Sequence, residues 1–241
     1  MQRLGTARKV VLILPVFDEE ERIEEVIRRV SRTAVGAIVV VDDGSRDGSA
    51  ERARRSGAAV ISHPSRLGVG AAIRTGILWA RERRFDVACV AAGNGKDAPE
   101  EIGRLLERID AGLDFVQGSR YLPGARHGGM PRYRRWATRI HPILFTVACG
   151  RRVTDSTNGF RAFRLSLFDD PRIRIGQRWL DGYELEPYLY FRAIRLGYRV
   201  GEVPVTKIYP PPGHAYTKMR PITGWWQILR PIFYLALRWK A

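Results

Sequence analysis

The sequence predicts an α/β protein with a mostly parallel central sheet and helices on both faces. Three observations carry this. The continuous apolar runs Lys9–Pro15 (KVVLILP) and Ala37–Val41 (AIVVV) read as buried strands. They alternate with segments of helical spacing, the pattern of parallel pairing through crossover helices. Polar residues gather just after the strand ends, at Pro15–Glu19, Asp42–Asp47 and Gly93–Asp97, where such sheets bind ligands.

Each element follows in order. Glu19–Val30 has helical spacing with acidic residues in its first turn, which suits the helix dipole. After the second strand come a short helix over Asp47–Arg55, a strand over Ala58–Ile61 and a longer helix over Val69–Arg83. Phe85–Ala92 is the fourth strand, and Pro99–Ile109 the next helix, with proline at its start. Beyond a fifth strand at Asp114–Gly118 the alternation weakens, and an arginine-rich helical stretch runs to about Gly150. Phe160–Leu165 and Tyr198–Pro204 are later strands separated by a helix over Leu185–Leu196. Residues 1–220 are expected to form one domain, and 221–241 an aromatic, apolar and basic amphipathic segment.

A chain of 241 residues supports a full α/β core. Cys89 and Cys149 stand far apart without metal-type spacing and are expected to be reduced thiols. The N-terminus shows no secretory signal, and no run reaches the roughly 20 apolar residues that span a bilayer. The net charge of +16 is local. Phe115–Thr154 holds eight arginines and no acidic residue, and six more basic residues follow Glu202 with no Asp or Glu. Without these two segments, 27 basic residues face 25 acidic ones. Both segments are expected to meet something anionic: a phosphorylated substrate, lipid headgroups or nucleic acid.

Gly93-Asn94-Gly95-Lys96-Asp97-Ala98 fits a dinucleotide fingerprint literally, but it follows the fourth strand, and Pro99 opens the helix too late for that mode. No P-loop, nucleophile elbow or zinc spacing occurs. The four histidines stand alone and read as structural or surface residues. Val39–Gly48 (VVVDDGSRDG) is more informative, because a buried strand there delivers adjacent carboxylates to the sheet edge. Asp42 has the stronger claim to a ligand, with Asp43 beside it, while Asp47 shapes the turn.

These segments resemble the family 2 glycosyltransferases with the GT-A Rossmann-like fold, and within them the dolichyl-phosphate mannose synthase branch, which glycosylates polyprenyl phosphates. LPVFDEE resembles the family's opening strand and P-x-Y-N-E turn, with Phe17 for Tyr and Asp18 for Asn. VVVDDGSRDGS, RLGVGAAIRTGI, QGSRY, PRYRR, DSTNGFRAF and GYRVGEVPV follow in the expected order. The resemblance implies that Pro15, Phe17, Glu19 and Asp42 hold the nucleotide of a sugar donor. It also implies that Arg120 and Arg134 hold an acceptor phosphate, with Thr138 one helical turn beyond Arg134, and that Asp155 lies near the reacting centre. Residues four apart share a helix face, and arginine forks suit phosphate, so the chemistry agrees. For Asp155 a turn or cap role is equally open.

The chain departs from the family at its metal motif. The fourth strand of the family ends in Asp-x-Asp-x-Gln, which binds a divalent ion on the donor diphosphate. Alignment on Pro99-Glu100 puts Ala92, Asn94 and Lys96 at those positions. Lys96 and Asn94 then replace the metal, in a turn where Gly93 and Gly95 let backbone approach phosphates, and no cofactor is expected. The alternative is weak Mg²⁺ or Mn²⁺ binding through Asn94 and Asp97, and Asp97 also reads as a cap for the Pro99 helix. The resulting expectation is an inverting, metal-independent transferase peripheral to the cytoplasmic membrane face. It would take a nucleotide sugar and a polyprenyl phosphate and lay an amphipathic C-terminal helix on an anionic surface. A catalytically silent nucleotide-sugar or partner binder is the rival. A nucleic-acid binder is disfavoured, since no base-stacking module accompanies the arginines.

Overall fold

The computed structural model of the chain describes residues 8–209, 221–237 and 239. Its strands are β1 (Val10–Val16), β2 (Ala37–Asp42), β3 (Ala59–Ser62), β4 (Val87–Val90), β5 (Phe115–Ser119), β6 (Arg126–Gly128), β7 (Arg161–Arg164), β8 (Val200–Pro204) and β9 (Thr206–Ile208). Seven of them make one sheet in the order β3-β2-β1-β4-β7-β5-β8. All neighbours run parallel except β7, which is antiparallel to both β4 and β5. The short β6 and β9 pair in a second, two-stranded sheet that the sequence did not signal.

The period of two along β1 divides the interior. Val11 and Ile13 point into one apolar cluster, while Val10, Leu12, Leu14 and Val16 point into the other. On the first side lie α3 (Val69–Glu82), α5 (Arg132–Cys149), α6 (Leu185–Arg195) and α7 (Pro221–Ala236). On the second lie α1 (Ile23–Arg28), α2 (Ser49–Arg55) and α4 (Ile102–Asp110). In α4 the buried residues Ile102, Leu105, Leu106 and Ile109 recur at the spacing that builds one apolar face. Gly76 of α3 sits where a Cβ would come 2.4 Å from Ile13 Cγ2, so this helix can approach the sheet only as glycine there.

Two elements differ from the sequence reading. The helix expected from Glu19 begins at Ile23, leaving Glu19 in the loop after β1, and Pro99–Glu101 forms a 3₁₀ turn ahead of α4. The C-terminal segment is also less separate than expected. Ile232 and Leu235 of α7 are buried in the cluster that holds Phe145 and Tyr190. Arg230, one of the six basic residues after Glu202, pairs with the buried Glu184, and Tyr234 packs edge-on against Trp179. Lys218, Arg220, Arg238, Lys240 and the side chain of Trp225 fall outside the described residues.

Candidate active site

One cavity opens over the carboxyl ends of β1, β2 and β4, lined on one side by Pro15, Phe17, Glu19 and Asp43 and on the other by Arg120, Arg134 and Thr138. The loops after β1 and β2 are laced together. Asp18, at a positive φ of 50°, donates its N–H to Ser45 Oγ (2.9 Å) and accepts from Arg46 N–H (2.8 Å). Glu19 N–H donates to Ser49 Oγ (2.8 Å), and Asp47 accepts from Glu20 N–H (3.1 Å). The guanidinium of Arg66 lies 4.2 Å over the Phe17 ring, which makes a flat cationic platform at the cavity wall.

The two carboxylates at the end of β2, Asp42 in the strand and Asp43 just after it, divide their work differently from the sequence reading. Asp42 turns inward, accepts Ser45 N–H (3.0 Å) and is not among the cavity's lining residues. Asp43 reaches the cavity, and it also accepts from Leu67 N–H (2.9 Å), Gly68 N–H (2.8 Å) and His63 Nδ1 (2.8 Å). One residue along a strand reverses the face, and that register is set by packing.

The turn after β4 carries Asn94 and Lys96 to the cavity. Gly93 is required for packing: a Cβ there would stand 2.5 Å from Val16 Cγ2. Gly95 supplies a φ of +72°. Asn94 Oδ1 accepts Lys96 N–H (3.3 Å), so its NH₂ is the end left for a ligand. Asp97 does not cap the following helix. Its Oδ2 accepts Ala92 N–H (2.9 Å) and its Oδ1 accepts Lys207 Nζ (2.5 Å). Burial first, then the charges of Lys207 and Arg134, lower the Lys96 ammonium to a pKa of about 8, against the opposing pull of Glu19 and Asp97.

Asn94 and Asp97, the pair expected to offer a weak metal site, do not fit a divalent cation here. Both Asp97 oxygens are committed, the Asn94 oxygen is turned to its own loop, and three cations, Lys96, Lys207 and Arg134, share the space. Hard ions require free carboxylate or carbonyl oxygens. Among the described residues no three His, Cys, Asp or Glu side chains group as a metal site.

On the opposite wall Arg120 is 3% exposed. Its Nε and Nη2 fork onto Asp155 (2.6 and 2.7 Å), Nη2 also reaches Thr157 Oγ1 (2.5 Å), and Nη1 reaches Tyr209 Oη (3.2 Å). Asp155, expected near the reacting centre, is fully buried behind Arg120 and does not line the cavity. Burial alone would raise its carboxyl, but the guanidinium holds it below the usual range. Arg134 and Thr138 lie one turn apart on α5, as the spacing predicts. Arg134 approaches the Tyr209 ring to 5.5 Å, and Thr138 Oγ1 donates to Arg134 O (2.9 Å) beside Tyr121 Oη (2.6 Å). Lys207 and Tyr209 escaped the sequence reading. No hydrophobic alternation marked them, because charged Lys207 faces inward with Val205 and Tyr209 while apolar Ile208 faces outward.

Comparison with known proteins agrees with this architecture. The glycosyl transferase family 2 model matches residues 11–170. The polyprenol monophosphomannose synthase of Mycolicibacterium smegmatis is 32% identical over 206 residues, 83% of this chain and 77% of that protein. The undecaprenyl-phosphate mannosyltransferase of Micrococcus luteus is 33% identical over 208 residues, 82% and 83% of the two. Among solved structures, glucosyl-3-phosphoglycerate synthase from Mycobacterium tuberculosis, in complex with Mn²⁺, UDP and glucosyl-3-phosphoglycerate, superposes with a TM-score of 0.65 at 21% identity, covering 96% of this chain and 80% of that one. That likeness is one of fold. The chain belongs to glycosyl transferase family 2, and it is a glycosyltransferase with the GT-A architecture.

Proposed function

We propose that the chain transfers a sugar, with inversion, from a nucleotide-diphosphate donor to a polyprenyl phosphate, and that it does so without a metal ion. The observation that carries the reading is one cavity that gathers cations from two elements. Lys96 with Asn94 comes from the turn after β4, Arg134 with Thr138 comes from α5, and the Tyr209 ring lies beside both Lys96 (5.6 Å) and Arg134 (5.5 Å). The names of the two relatives above supply the lipid acceptor. A phosphate monoester has a second pKa of roughly 6, so near neutral pH it is already an anionic nucleophile and needs no strong base. Arg134 orients it, and Lys96 with the Asn94 amide offsets the charge that grows on the departing nucleoside diphosphate.

The test is product formation from nucleotide sugars and a short-chain polyprenyl phosphate in excess EDTA. An organic-extractable sugar-phosphate lipid formed at an undiminished rate is expected. Activity that vanishes with EDTA and returns with Mn²⁺ or Mg²⁺ sinks the metal-free reading. Products confined to water-soluble acceptors sink the lipid one. A protein that binds nucleotide sugar and turns over none is the catalytically silent rival, which the absent carboxylates at Ala92 and Asn94 favour.

The same reading puts the protein at the cytoplasmic membrane face as a peripheral enzyme. No helix among the described residues is long and apolar enough to cross a membrane. The support lies on α5, whose inner face buries Thr138, His141 and Phe145 while Trp136, Ile140, Ile143, Leu144 and Val147 form a second, exposed apolar stripe. Trp136 is 70% and Val147 79% exposed, well beyond what scattered surface residues require. Trp226 and Phe233 of α7, which packs against α5, and Leu237 just beyond it are also exposed, and Arg132, Arg135 and Arg139 flank the stripe. Such a face suits the headgroup region of an anionic bilayer, and Arg134 on the same helix would meet a lipid phosphate there. The double change Trp136→Ser/Val147→Ser is expected to weaken binding to anionic vesicles severalfold while leaving the melting temperature near that of the parent. Removing α7 is a poorer test, because it strips Ile232 and Leu235 from the core. Vesicle binding unaffected by the double change and by salt removes the membrane from the account.

A further inference from the structure

Lys207 stands on the inward face of β9, 8% exposed, where its strand neighbours Val205 and Tyr209 are also buried. An ammonium is an expensive choice for such a place, and an apolar side chain would pack there without a partner. Two side-chain acceptors meet it there. Nζ donates to Asp97 Oδ1 (2.5 Å) and to Asn158 Oδ1 (3.0 Å), and Asn158 is itself fixed through Nδ2 to Gly118 O (3.1 Å). Two of the three N–H donors of Lys207 thus have acceptors among the described residues, and one remains for a ligand oxygen.

The position of that donor matters. Lys207 lines the same cavity as Lys96 and Arg134. The turn carrying Lys96 is clipped to β9 by a bridge between Asp97 and Lys207 and by Ile208 N–H donating to Lys96 O (2.9 Å). The two ammonium groups are therefore held by one rigid unit. A divalent ion brings two positive charges to a diphosphate, and one lysine brings half of that. Lys207, ion-paired to Asp97, stands in the buried space already shared with Lys96 and Arg134.

We propose that Lys207 is a second diphosphate-binding cation of the donor site, poised by Asp97 and Asn158 so that it shares with Lys96 the charge of the nucleoside diphosphate. This rests on the donor-site reading above. Because removing one member of a buried pair strands the other, the principal variant is the double change Asp97→Asn/Lys207→Met, which keeps an acceptor for Ala92 N–H. Affinities for UDP, GDP, UMP and GMP are measured by calorimetry in EDTA. The parent is expected to prefer one diphosphate over its monophosphate. In the double variant that preference falls roughly tenfold to a hundredfold, the range for a charged hydrogen bond, while monophosphate affinity stays unchanged. Lys207→Arg keeps most of the preference. If the double variant does not melt cooperatively, Lys207→Gln supplies the same ratio. A preference retained in full, or mono- and diphosphate lost together, makes the pair a structural clip and overturns the proposal. A parent that binds none of the four nucleotides overturns the donor-site reading itself.

Discussion

Lys96→Ala is expected to lower kcat roughly a hundredfold or more, the scale of losing one preorganised charge-stabilising donor. The ammonium stands in the turn after β4, where it faces Lys207, Arg134, Glu19 and Asp97. In the free protein its pKa is about 8, so kcat/KM should fall as pH rises through about 8, as the charge is lost. A bound diphosphate favours the ammonium, which moves the same limb of kcat to higher pH. The limb should be absent from Lys96→Ala. Stability should respond with the opposite sign. The folded state holds a proton less tightly than the unfolded chain, whose lysine has the ordinary pKa of 10.5, so stability should rise with pH between about 8 and 10.5. Below that window the charged Lys96 opposes folding, and Lys96→Met should therefore raise the melting temperature at pH 7 while impairing turnover. A variant that loses neither activity nor the alkaline limb removes Lys96 from the reaction.

The two arginines of the acceptor wall should separate cleanly. Arg134→Ala is expected to reduce transfer by roughly a hundredfold or more through loss of acceptor positioning, with nucleotide binding and thermal stability near those of the parent. Arg134 is half-buried on α5 and faces the cavity beside the Tyr209 ring. Arg120→Ala should fail differently. It leaves the fully buried Asp155 without its forked partner, and stranding a buried charge in this way costs about 3–5 kcal/mol. Denaturant midpoints and nucleotide titrations on both variants decide the matter. Equal loss of stability in the two would return Arg134 to a structural role, and a stable, inactive Arg120→Ala would promote Arg120 to a direct phosphate ligand.

The sequence by itself determined the alternation of strands and helices, because buried strands read as unbroken apolar runs and crossover helices keep their own period. It also placed the ligand end of the sheet, since Pro15–Glu19, Asp42–Asp47 and Gly93–Asp97 follow three strands that pair side by side, β1 between β2 and β4. The i, i+4 relation of Arg134 and Thr138 was legible for the same local reason. What only the tertiary structure decided involves residues far apart in the chain. The stretch Phe115–Thr154 has no acidic residue of its own, yet Arg120 is neutralised by Asp155, which the antiparallel β7 and the loop before it bring alongside β5. Asp97 read as a cap for the helix next to it, but its partner is Lys207, 110 residues away, because β9 pairs against its turn. The exposed stripe of α5 was hidden for a related reason. A helix apolar on two faces has no single periodic signature, and only the packing of α5 shows that one face is spent on the core and the other is left to solvent. Local periodicity specifies elements, whereas the pairing of charges across the fold depends on contacts whose sequence separation no local pattern encodes.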